Sequence, residues 1–126
     1  MVATTCSVQK FETEAEWLEA RKQYVTASEI ACVVGLDAYK SPLRLYHEKR
    51  GEIDPPDLSG NAAVQAGKAL EGTILDIYQQ EAGRKVDRCE PFRLFVNSDY
   101  PMIAATPDGF DWRDEIEQEG VVDAKN

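Results

Sequence analysis

Two aspartates and a lysine near the end of the chain have types and spacing suited to holding a divalent cation beside a phosphate. Thr106-Pro107-Asp108-Gly109 is followed, after an interval, by Val121-Val122-Asp123-Ala124-Lys125. Phosphodiester cleavage with Mg²⁺ or Mn²⁺ asks for hard oxygen ligands and a base or cation beside the attacking water. Asp123 and Lys125 lie two apart, so on a strand both side chains share a face. The Ala124 carbonyl between them is a further oxygen. If Asp108 ends a neighbouring strand at the same edge, three oxygens and an ammonium converge. Each piece also has a plainer reading. Asp108 suits a Pro-Asp-Gly turn, and Asp123 and Lys125 suit the solvated face of an edge strand.

Two upstream stretches extend the pattern. Gly67-Lys68-Ala69-Leu70-Glu71 falls within a long helical periodicity, and Arg21-Lys22-Gln23-Tyr24-Val25-Thr26-Ala27-Ser28-Glu29-Ile30 precedes it. The order R-x4-TAS-E-[IV], GxxxE, [ST]PDG and [DE]xK, from about Glu16 to Lys125, resembles the phage lambda exonuclease-like family. These are the viral alkaline exonucleases and recombinases of the PD-(D/E)xK nuclease superfamily.

The resemblance implies roles position by position. Asp108, Asp123, the Ala124 carbonyl and Glu71 would hold one or two Mg²⁺ or Mn²⁺ ions. Lys125 stands at the catalytic lysine. Arg21, Thr26 and Ser28 fall where the family holds the terminal phosphate of double-stranded DNA. Asp123 replaces the family's usual glutamate, shortening that arm by one methylene. The resemblance also implies phage origin, a ring-shaped homo-oligomer and a single-strand annealing protein as partner. Without it, Glu71 reads as a surface helix residue, Arg21 as an exposed helix cation and Ser28 as a cap.

These residues need elements to place them. Thr13 and Glu16 form a capping-box pattern before a helix through Trp17 and Leu18. A short apolar helix from Glu29 to Val34 ends at Gly35, and Ser41-Pro42 starts a helix reaching about Arg50. Residues 51–60 read as a loop, and 61–82 as a long helix closed by Gly83. Period-two runs at 84–89, 92–96, 102–106 and 121–125 read as strands, with turns at 97–99 and 107–109. The acidic run 111–119 reads as a solvated hairpin loop. The expected class is α+β: helices, then a small, mostly antiparallel sheet, as in a truncated restriction-endonuclease-like core.

One domain over 1–126 is expected, with residues 1–10 as a flexible lead-in. The family's C-terminal helix and strand are expected to be missing. The edge at 121–125 would then need cover from a second copy or a protein partner. No apolar run is long enough to span a membrane, and no signal peptide is evident, so a cytoplasmic protein is expected. Cys6, Cys32 and Cys89 are odd in number and far apart, which does not suggest a disulfide framework. His47, the single histidine, has no paired group in the sequence.

The formal charge of −9 runs against nucleic-acid binding, which depends on basic surface. Arg21, Lys22, Lys40, Arg44, Lys49, Arg50 and Lys68 could supply a local basic track. Two functions are therefore carried forward. One is a Mg²⁺-dependent DNA exonuclease of the lambda type. The other is a shortened, weakly active or inactive module that binds a protein or DNA, such as a phage inhibitor of a host defence complex.

Overall fold

A computed structural model describes residues 6–125. Two compact units emerge, one from the stretches up to Pro55 and Glu90–Thr106, the other from Pro56–Cys89 and the segment from Pro107 onward. Four helices and two small sheets make the fold α+β.

In the first unit, strands β1 (Cys6–Lys10), β2 (Val25–Thr26), β4 (Arg93–Asn97) and β5 (Ile103–Ala105) form a sheet ordered β1-β4-β5-β2. All its pairs are antiparallel except β2 with β5. Residues 6–10, expected as part of a flexible lead-in, are thus a paired strand; residues 1–5 lie outside the described residues. The strand escapes a hydropathy reading because its side chains are nearly all exposed; backbone pairing to β4 holds it.

Helix α1 (Glu14–Arg21) begins at the expected capping box. A 3₁₀ turn, Ala27–Glu29, leads into α2 (Ile30–Val33), and Ser41 caps α3 (Pro42–Lys49). Leu94, Val96 and Ala104 form the core, packed by Phe11, Trp17 and Tyr24. The Trp17 indole N–H donates to the Arg93 carbonyl at 3.1 Å, which gives its polar edge a partner.

The second unit packs one long helix, α4 (Ala62–Ala82), on a sheet ordered β3-β6-β7. Asn61 caps α4 by accepting from the Ala63 and Val64 amides, and Gly83 ends it at φ +65°, a left-handed position that glycine takes without strain. The strands are β3 (Val86–Arg88), β6 (Gly109–Arg113) and β7 (Gln118–Val122), paired antiparallel throughout. Leu75, Val86 and Val122 form this core, with Tyr78 and Ala124 against it.

Three expectations are corrected here. The strands form two sheets, not one. The acidic run, expected as a solvated hairpin loop, is largely the paired strands of that hairpin, and Asp111 is only 1% exposed. The terminal strand ends at Val122, so Asp123 to Lys125 lie beyond it. No helix among the described residues is long and apolar enough to cross a membrane.

Candidate metal and phosphate sites

Pairing of Gly109 with Val122 ends the β6–β7 ladder, and one further step of that register sets Asp108 opposite Asp123. Their side chains come within hydrogen-bonding reach of each other. The alternation argument for Asp123 and Lys125 fails because no strand continues there, yet register alone brings the two aspartates together. The Ala124 N–H donates to Asp108 Oδ2 at 2.7 Å, and Lys125 Nζ lies 2.6 Å from Asp123 Oδ2.

A cleft of about 410 Å³ opens between this corner and α4, lined by Gly67, Lys68, Glu71, Asp108, Ala124 and Lys125 among others. Glu71 is thus aimed at the same cleft, one helical turn beyond Lys68. The short GxxxE pattern pointed to Glu71 but gave no reason to choose Lys68, which the i, i+3 spacing places on the same face.

Charges in this corner are unevenly compensated. Burial, reinforced by the neighbouring Asp123 and Glu71 carboxylates, raises the Asp108 pKa against the lowering effect of the Ala124 amide. Burial also pushes Asp123 upward, but its bonds to Lys125 and Asp108 outweigh that and leave it lowered. Asp108 is therefore the member of the pair that keeps a proton more readily. Lys125 is held above its ordinary value by its hydrogen bond to Asp123, with Asp108 and Glu71 adding to the effect, so it is an ammonium.

This donor set suits a hard dication. Two oxygen-bearing side chains meet at one point, and negative neighbours disfavour ionisation of one of them. A divalent ion would remove that penalty. Among the described residues, however, no three His, Cys, Asp or Glu side chains are gathered closely enough to hold a metal. Glu71 borders the cleft without closing on the aspartate pair.

The other expected site lies within the first unit, and its three residues also meet. Arg21 Nη2 donates to Thr26 Oγ1 at 3.4 Å, and Thr26 Oγ1 lies 3.2 Å from Ser28 Oγ. The Arg21 guanidinium rests 4.6 Å from the Trp17 ring centroid, and its buried Nε has no hydrogen-bond partner. Lys49 bonds the Arg21 carbonyl at 2.9 Å and the Glu29 carboxylate at 2.8 Å, while Glu29 accepts from the Thr26 amide. Two hydroxyls and a guanidinium side by side are donors of the kind that bind an oxyanion.

The expected basic track is less available than its sequence suggests. Lys22 pairs with Glu19, Lys40 and Arg44 with Glu48, and Arg50 with Glu52. His47 is engaged by Glu52 at 2.5 Å. The 14 basic and 23 acidic residues divide as 8 and 11 in the first unit and 6 and 12 in the second. Two-thirds of the net charge, −6 of −9, thus falls in the unit carrying the aspartate pair.

A model of the YqaJ-like viral recombinase domain matches residues 16–126. The chain belongs to that family. It is a lambda exonuclease-like viral recombinase family, as the four motifs implied. Uncharacterized protein YqaJ of Bacillus subtilis (strain 168) is 28% identical to this recombinase domain over 93 residues, 74% of the chain. The match spans 28% of that protein's length.

Proposed function

We propose that this chain carries the catalytic corner of a Mg²⁺- or Mn²⁺-dependent DNA exonuclease acting on double-stranded ends. The observation that carries the reading is the meeting of Asp108 with Asp123, with Lys125 on the pair and Glu71 facing the same cleft. Asp108, Asp123, the Ala124 carbonyl and Glu71 are the residues that would hold one or two ions. A bound cation would supply Lewis acidity and an acidified water at the scissile phosphate.

The protein's own groups do the rest. Asp123 fixes the Lys125 ammonium, which orients the attacking water and faces the negative charge that grows on the phosphate. Ala124 N–H holds Asp108 in one rotamer. Arg21, Thr26 and Ser28 would grip a 5′ phosphate through charge-assisted and hydroxyl hydrogen bonds. Asp123 carries a shorter arm than glutamate, and a misplacement of about 1 Å costs on the order of a hundredfold in rate. A single-strand annealing protein, a second copy or another chain at the β7 edge are the partners this reading allows.

An end-labelled duplex with a 5′ phosphate tests it. With Mg²⁺ the label should be lost progressively, Lys125→Ala should stop the loss, and Asp123→Glu should speed it. Intact DNA with wild type and Asp123→Glu, under Mg²⁺ and Mn²⁺ alike, overturns the reading.

One observation favours a second reading: the absence of a three-ligand group among the described residues. A module that binds a protein or DNA without cutting needs no such group, and its negative charge would make association with a basic protein surface fall with salt. Metal-independent, salt-sensitive binding by a chain that leaves DNA intact would select this reading.

A further inference from the structure

We propose that Tyr78 and Asp111 are positioning residues, whose part-buried hydrogen bond sets where Glu71 stands relative to the Asp108–Asp123 pair. This rests on the reading of that pair as a cation site. Tyr78 O–H donates to Asp111 Oδ2 at 2.6 Å, and the Asp111 side chain is wholly buried. Arg113 and Arg84 are the nearby cations: Arg113 Nε reaches Asp111 Oδ1 at 3.4 Å, and Arg84 bonds both Glu115 and the Tyr78 hydroxyl.

The dimensions of the two elements make this bond a lever. Tyr78 follows Glu71 by seven residues on α4, which is two turns on one face and about 10 Å. Asp111 follows Asp108 by three residues on and before β6, again about 10 Å. Fixing Tyr78 to Asp111 at one end therefore fixes the approach of Glu71 to Asp108 at the other. Other ties reach a different strand. Arg88 Nη2 donates to the Gly72 carbonyl and Asp76, and Gln79 accepts from the Val86 amide, so both bind α4 to β3. Tyr78 to Asp111 instead ties α4 to β6, the strand that Asp108 leads into.

Asp111 also sets register. Its partner across β7 is Gly120, where an added Cβ would come within 2.6 Å of Asp111 Oδ1 and 2.7 Å of Arg113 Nε. Only glycine leaves room for the buried carboxylate. Pairing Asp111 with Gly120 obliges Gly109 to meet Val122, and Asp108 to meet Asp123. A slip along the ladder would set a side chain against Asp111. The same carboxylate thus places both halves of the site.

Tyr78→Phe keeps the ring and removes the hydroxyl. The Ala124 amide, which donates to Asp108 Oδ2, reports the corner without any metal present. Its NMR resonance should move and its hydrogen exchange accelerate, with the β6–β7 ladder amides unchanged. Mn²⁺ affinity should weaken about tenfold, as for groups that orient metal ligands. Arg88→Ala should leave both readouts at wild type. Asp111→Asn, which retains an acceptor for Tyr78, should hold Ala124 near its wild-type position, whereas Asp111→Leu should not.

An Ala124 amide unmoved in Tyr78→Phe, or moved equally by Arg88→Ala, overturns the proposal. If Tyr78→Phe does not fold, the contrast between Asp111→Asn and Asp111→Leu decides it. A wild-type chain that takes up no Mn²⁺ sinks the cation reading alone, and the Ala124 amide still decides the lever.

Discussion

Glu48 in the first unit and Asp108 in the second are acids withdrawn from water, and their surroundings treat them oppositely. Glu48 is 5% exposed, with Lys40 at 2.6 Å on one oxygen and Arg44 at 3.0 Å on the other. Burial would raise its pKa, but those two cations outweigh it and leave it lowered. Asp108 shares its corner with two more carboxylates and is raised. The Lys125 ammonium there bonds Asp123 instead. A chain able to neutralise a buried acid completely at one place leaves another under-compensated. Such a deficit costs stability and is expected where a ligand, here a cation, supplies the missing charge.

Breaking the compensated side should give the largest effect. Glu48→Ala leaves Lys40 and Arg44 facing each other without their shared anion, and a fully buried pair broken this way costs roughly 3–5 kcal/mol. Both cations keep partial access to water, so about 2 kcal/mol is expected. Denaturant unfolding measures it.

On the under-compensated side the sign reverses. A raised folded pKa contributes stability that is complete below the ordinary value of 3.8 and lost as pH rises through the folded value. Near neutrality, without divalent metal, ionised Asp108 therefore works against the fold. Asp108→Asn should raise the metal-free melting temperature, by about 1 kcal/mol of stability, and remove any further rise on adding Mn²⁺.

The buried Asp111 sharpens the comparison within one unit. Its hydrogen bond to Tyr78, above all, and its contact with Arg113 lower its pKa. A depressed folded pKa contributes stability present above 3.8 and lost as pH falls through the folded value. Tyr78→Phe should flatten that acid limb in a pH series of thermal melts. The smallest effect is expected at Arg88, whose bridge to Asp76 lies mostly in solvent. Arg88→Ala should change stability by less than about 0.5 kcal/mol.

Only the Asp108 side of this contrast was legible in the sequence. Asp108, Asp123, Lys125 and Glu71 were marked by short motifs; the structure brings the first three together, with Glu71 bordering the same cleft. Arg21, Thr26 and Ser28 likewise meet within the first unit. The route differed, however: the aspartates meet through hairpin register, because Asp123 and Lys125 lie past the strand that was expected to align them.

The elements that were missed share a cause. Strand β6 puts Gly109, Asp111 and Arg113 on one set of positions and Phe110 and Trp112 on the other. The set buried toward α4 is therefore the polar one, and hydropathy reads it backwards. The tyrosine hydroxyl on α4, seven residues beyond Glu71, together with Arg113 on the same strand, makes a buried aspartate tolerable there. Strand β1 is held by backbone pairing with little burial, which leaves no periodicity to read.

The most direct measurement is a calorimetric titration of Mn²⁺ into the metal-free chain. The account predicts saturable heat with one or two ions bound in wild type, and none in Asp108→Asn. It also predicts weakened binding in Glu71→Gln, since Glu71 borders the cleft without closing on the pair. Wild type without heat, or an Asp108→Asn chain that binds as wild type does, would contradict the assignment of this corner as a cation site.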